Sequence, residues 1–181
     1  MTMTLKEFQR DSKRTAPFNA EPQNKQELWN ILANYSCGLV GEHLEYELEL
    51  SKVDINDSED VSEDILDKVE SEIGDVMHYA VNLLTILDHE FDESLLKEEV
   101  TMLDVTEALK DILELHKKYI YHGHEFEKDK FIDAVYVIIS VFNNLYGELL
   151  GGILEKNIEK LKKRYPDKFT VEDSIARVDT K

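Results

Sequence analysis

Between Glu27 and Ser51 the apolar residues Leu28, Ile31, Leu32, Tyr35 and Leu39 recur three and four apart, the period of one face of an α-helix. A second such stripe, Ile65, Val69, Val76, Leu83 and Leu87, predicts a helix from Ser62, a suitable N-cap, to about Asp88. Leu5 to Arg14 predicts a short first helix with Leu5, Phe8 and Gln9 on one side, and Thr15 to Asn24, with two prolines, reads as an irregular connection. Val53 to Asp60 reads as an acidic loop, and a break at Asp88 to Asp92 leads into Leu95 to Met102. Asp104 is the expected cap of a helix reaching Tyr121. The His122-Gly123-His124 turn follows, then a helix over Lys128 to Tyr146 and a last one from near Gly152 to before Pro166, leaving a polar tail that reads as extended.

Composition agrees with an all-α fold. The three prolines are Pro17, Pro22 and Pro166, and seven glycines leave little material for the tight turns of a sheet. With 181 residues the chain suffices for one domain or two small halves sharing a core. The longest apolar run, Ala134 to Phe142, is shorter than a membrane span, no signal peptide is evident, and one cysteine, Cys37, fits a reducing compartment, so the expectation is a cytoplasmic protein without a membrane partner. A net charge of −18 opposes docking on nucleic acid.

The charge also concentrates. Glu42 and Glu45 are three apart on one predicted helix, Glu72 and Asp75 on the next, so each pair can converge on one ligand. Glu42 lies on the line of Leu28, Ile31, Tyr35 and Leu39, and beyond Glu72 and Asp75 the line continues through Tyr79, Leu83 and Ile86; both pairs are expected to turn inward. Two like charges about 4 Å apart repel by about 4 kcal/mol at an effective dielectric of about 20. Grouped carboxylates therefore take up protons or a divalent cation, and an all-oxygen donor set suits Mg²⁺ or Mn²⁺. The competing reading is a chance pairing on solvated faces, since the chain has 39 acidic residues.

Three segments bear on the choice. Leu5-Lys6-Glu7-Phe8-Gln9 leads to Lys13-Arg14-Thr15-Ala16. Asn34-Tyr35, Gly38-Leu39 and Gly41-Glu42-His43-Leu44-Glu45 are followed by Glu70-Ser71-Glu72-Ile73-Gly74-Asp75-Val76, and the chain closes with Asn157-Ile158-Glu159-Lys160-Leu161-Lys162-Lys163-Arg164-Tyr165-Pro166-Asp167-Lys168-Phe169. In this order they resemble the MazG-like nucleoside triphosphate pyrophosphohydrolases. The resemblance implies a helical bundle in which Glu42, Glu45, Glu72 and Asp75 hold Mg²⁺ against a nucleoside triphosphate cleaved to monophosphate and pyrophosphate. It implies Glu45 or Glu42 as general base, Tyr79 beside the nucleotide, and Asn157, Lys160 and Arg164 at the phosphates. Trp29 reads as core.

Family members place a Lys-Lys…Gly-His-Glu turn between the two acidic helices; here it comes later, from Lys117 to Glu125. Aligning Asp67-Lys68 with Asp129-Lys130 sets Ala134 opposite Glu72, Val137 opposite Asp75 and Asn144-Leu145 opposite Asn82-Leu83, with Ala108 and Asp111 in place of the first acidic pair. Residues 1–92 then form the acidic half and 93–181 a degenerate copy carrying the family-like last helix, a covalent pseudo-dimer within a homodimer or other homo-oligomer. The copy is expected to lend Lys117, Lys118 or His122 to the site. Chance similarity between two amphipathic helix pairs is the alternative. A dUTP- or dCTP-specific pyrophosphatase, a phosphoribosyl-ATP pyrophosphohydrolase and a non-catalytic nucleotide-binding module are competing functions.

Overall fold

The computed structural model describes residues 2–15, 24–53, 62–167 and 170–176. Its elements are α1 (Leu5–Ser12), a 3₁₀ turn (Lys13–Thr15), α2 (Lys25–Leu50), α3 (Glu63–Ile86), a second 3₁₀ turn (Glu93–Leu95), α4 (Met102–His122), α5 (Lys128–Arg164) and α6 (Val171–Ala176). No strand occurs among the described residues, so the expected all-α class holds.

Local sequence explains most boundaries. Thr4 accepts from the Glu7 amide while the Glu7 carboxylate accepts from the Thr4 amide, a capping box that starts α1. Asn24 caps α2 through Glu27 N–H. Ser62 stands at the start of α3 without a side-chain cap bond. Thr101, not Asp104, is the N-cap of α4; Asp104 sits one turn inside and returns a bond to the Thr101 amide. Gly123, in the left-handed region at φ 69°, ends that helix as the turn predicted.

The expected gap between the last two helices shrinks to one residue. Gly147 (φ 46°, ψ −120°) breaks the helical backbone, and the helix resumes at once rather than near Gly152. The expected extended tail instead carries α6. Its start is tied to the other end of the described chain: the Arg14 guanidinium donates to the carbonyls of Tyr165, Pro166 and Asp167.

The core is continuous from Leu5 to Ile158. Helix α3 lies at its centre, packed against α1, α2 and α5, and α4 closes the other side of α5. Gly38 meets Tyr79 while Glu42 meets Glu72, so α2 and α3 run antiparallel. By length and composition α5 could cross a membrane, although its uncharged part is bounded by Asp133 and Glu148 and interrupted by polar Asn143 and Asn144; 44% of the apolar stretch is buried in the bundle. The four positions aligned with the acidic pairs, Ala108, Asp111, Ala134 and Val137, do share one cleft of about 600 Å³ between α4 and α5. Asn144-Leu145 does not share the environment of Asn82-Leu83, because Leu83 is fully buried and Leu145 is 57% exposed.

Candidate metal and phosphate site

Three of the four predicted acids converge. One carboxylate oxygen each from Glu42 and Glu45 on α2 and Glu72 on α3 lie within 4.8 Å of one another. Leu39 and Tyr46 hold α2 to the core, and Val69 and Ile73 hold α3, so the acidic side chains between these anchors meet at the helix seam. The seam is less enclosed than the apolar stripe suggested: Glu42 and Glu72 are half-buried, and Glu45 is exposed. Glu45 turns outward because it leaves the stripe that Glu42 follows.

Asp75 stands beside this trio without belonging to it. Asn157 Nδ2 donates to its Oδ1 at 2.7 Å and Lys160 Nζ to its Oδ2 at 2.5 Å, with Ser71 Oγ accepting from the same ammonium at 3.2 Å. The last part of α5 thus reaches across to α3. Its approach requires Gly74: a Cβ there would stand 2.9 Å from Asn157 Cβ. Gly38 plays the same part on the other side, since its Cβ would fall 2.2 Å from Tyr79 Cε1.

The electrostatics follow from this crowding. Burial, then Asp75, Glu45 and Glu72, push the Glu42 carboxyl up to about 8, while Lys160 works against them. Glu72 is raised by burial and by Asp75 and Glu45, and its carboxyl shares a hydrogen bond with Glu42. Tyr79 rises to about 12 through burial and the nearby charges of Glu42 and Asp75. Beneath them His78 is held down to about 4 by burial, with Lys160 and Arg164 adding to the effect and Asp75 opposing it, so it stays neutral. Arg164 therefore lies within electrostatic reach of His78 and Tyr79.

The donor chemistry fits a hard divalent cation. All the donors are oxygens, burial and then the neighbouring carboxylates lift Glu42, and the buried Asn157 Oδ1 beside Asp75 has no hydrogen-bond partner. Among the described residues this is the one such group of three, and His122 and His124 are exposed outside it.

Lys117 and Lys118 of α4 lie elsewhere in the chain. Lys117 pairs with Glu114 at the surface, and Lys118 lines the α4/α5 cleft near Glu127. The reason lies in how α4 docks: the Tyr119 ring packs tilted against Trp29 with centroids 3.9 Å apart, and His116 meets Ser36 at 2.8 Å, both in the first half of α2. Trp29 is half-buried in that contact, away from the acids. Sequence reasoning missed His78, Ser71 and the space-making roles of Gly38 and Gly74; two glycines inside helices, one beside Asp75 and one a turn before Glu42, were the available signal. Neither protein-family models, nor curated proteins, nor solved structures gave a match to this chain.

Proposed function

We propose that the protein is a Mg²⁺-dependent nucleoside triphosphate pyrophosphohydrolase, releasing a nucleoside monophosphate and pyrophosphate, of the MazG-like kind. The observation that carries this reading is the convergence of Glu42, Glu45 and Glu72 within 4.8 Å, with Asp75, Lys160 and Asn157 alongside. Acidic groups and cations at one seam are what a metal-bound polyphosphate needs.

Glu42, Glu45, Glu72 and Asp75 would hold Mg²⁺ or Mn²⁺, which when bound neutralises phosphate charge and lowers the proton affinity of water. The chain's own groups do the rest. Lys160 and Arg164 contribute positive charge for phosphate oxygens, and the Asn157 amide orients the Asp75 carboxylate. Glu45, exposed at the edge of the trio, is placed to accept the proton of an attacking water at a carboxylate oxygen, with Glu42 the other candidate. Tyr79, wedged against Gly38, offers a ring edge to the nucleotide.

The α4/α5 half reads as a degenerate copy of α2/α3, supported by the shared cleft at Ala108, Asp111, Ala134 and Val137. Of those four positions only Asp111 carries a ligand group, and it pairs with Lys110. A cytoplasmic nucleotide-pool role and a homo-oligomeric state complete the proposal. The test is a panel of ribo- and deoxyribonucleoside triphosphates, dUTP, dCTP and phosphoribosyl-ATP, assayed for pyrophosphate with Mg²⁺ and with EDTA. Metal-dependent pyrophosphate release that Glu72→Gln abolishes is expected. Nucleotide binding without turnover of any substrate would replace the enzyme by a binding module.

A further inference from the structure

Helix α2 is apolar on two sides. Leu32, Tyr35, Leu39 and Tyr46 face the core, yet the opposite side is also without charge over four turns: Cys37, Leu44 and Leu48 are exposed there, Ala33 and Gly41 are half-buried, and Val40 at its margin is half-buried and also packs against the core. Leu44 is 56% and Leu48 62% exposed, Cys37 is exposed, and a Cβ on Gly41 would meet nothing within 4 Å. A helix with apolar residues all round is ordinarily covered all round.

We infer that the chain pairs with a second copy of itself through this outward face of α2, the two helices running antiparallel about a two-fold axis between Val40 and Gly41. The sequence is self-complementary in that register. Leu48 falls opposite Ala33 of the second copy, Leu44 opposite Cys37, and Val40 opposite Gly41, so each large side chain meets a small one. An isologous contact requires such reciprocity. The inference deepens the homo-oligomer part of the proposed function and rests on it in that respect alone.

Charge points to the same occupant. At −18, two copies repel over most of their surface, and contact needs a face free of carboxylates. The acids of this stretch are Glu42 at the α3 seam, Glu45 exposed at the edge of that seam, and Glu47 at the other margin of the stripe. In the proposed register they come level with Leu39, Ser36 and Asn34 of the second copy, so no acid faces an acid. The stripe runs about 22 Å along the helix. A single helix pair of that length is smaller than the roughly 1,200–2,000 Å² of a stable interface, so the association is reversible and rises with concentration.

Sedimentation and cross-linking test it on the full chain. The parent should shift from monomer to dimer as concentration rises through the micromolar range. Leu44→Glu, which places a carboxylate in the apolar contact, should weaken association about tenfold or more. Leu44→Cys under mild oxidation should give a disulfide-linked dimer through Cys37 of one copy and the new thiol of the other. The parent should not, because its two Cys37 residues would lie about 10 Å apart along the axis, beyond the roughly 7 Å limit between disulfide-linked Cα atoms. A monomer at every concentration would overturn both this interface and the homo-oligomer. A dimer that survives Leu44→Glu and gives no cross-link in Leu44→Cys would overturn the interface alone, leaving the oligomer standing.

Discussion

Replacing Glu42 by Gln should stabilise the metal-free protein while removing its response to Mg²⁺. In the fold this carboxyl titrates near 8, against 4.5 for the unperturbed group, because burial and three neighbouring carboxylates disfavour its anion. A raised carboxyl binds more protons folded than unfolded, so its cost to stability grows as pH rises from 4.5 and levels off above about 8. At about pH 7 linkage caps that cost at about 3 kcal/mol for the metal-free chain, and solvent screening of a half-buried carboxylate lowers it further. Glutamine is the neutral shape of the same side chain and escapes it. The buried rings of His78, His43 and His116 are all held below their usual value and add stability as the unfolded chain loses their protons, so the acidic seam is isolated only where that opposing slope has died away, from about pH 7.5 to about 8. Urea unfolding in EDTA across that window should show the parent losing stability and Glu42→Gln losing less. With Mg²⁺ at about one hundred times its dissociation constant, the parent should gain about 2.7 kcal/mol and the variant little. If the variant in EDTA is no more stable than the parent at the alkaline end, the crowding account of this site fails.

Three further outcomes follow from the packing and charges. Gly38→Ala should cost about 1–3 kcal/mol in urea unfolding, since its Cβ would overlap the Tyr79 ring; a neutral result would show that ring free to move. Lys160→Ala should cost the metal-free fold about 1.5–3 kcal/mol and enlarge the melting shift produced by Mg²⁺, because Asp75 loses its cation. An unchanged shift would count against Asp75 as a metal ligand. Lys117→Ala, by contrast, should alter neither KM nor kcat and change stability by at most about 0.5 kcal/mol, as its partner is a surface Glu114 one turn away. A raised KM would mean that this lysine reaches an acidic site outside its own chain.

The helices were legible because their causes are local. Spacings of three and four residues, the Gly123 turn and the absence of proline between Gln23 and Tyr165 act within a turn or two, and they located α2, α3 and α4 to within a few residues. The acidic pairs were legible for the same reason: i and i+3 share a helix face whatever that helix packs against. What tertiary structure alone decided is depth and partnership. Glu45 is exposed although Glu42, one turn away, is half-buried, because only the α2/α3 seam fixes where the helix surface stops being covered. Asp75 leaves the trio for Lys160 and Asn157, residues more than eighty positions later, and that contact exists because Gly74 lets α5 come close. Lys117 and Lys118 went elsewhere because Trp29 and Tyr119 set how α4 docks, a pairing of two side chains far apart in the chain. Periodicity states which residues share a face. Which faces meet, and how closely, depends on contacts between distant segments, and that information is not local to any stretch of the sequence.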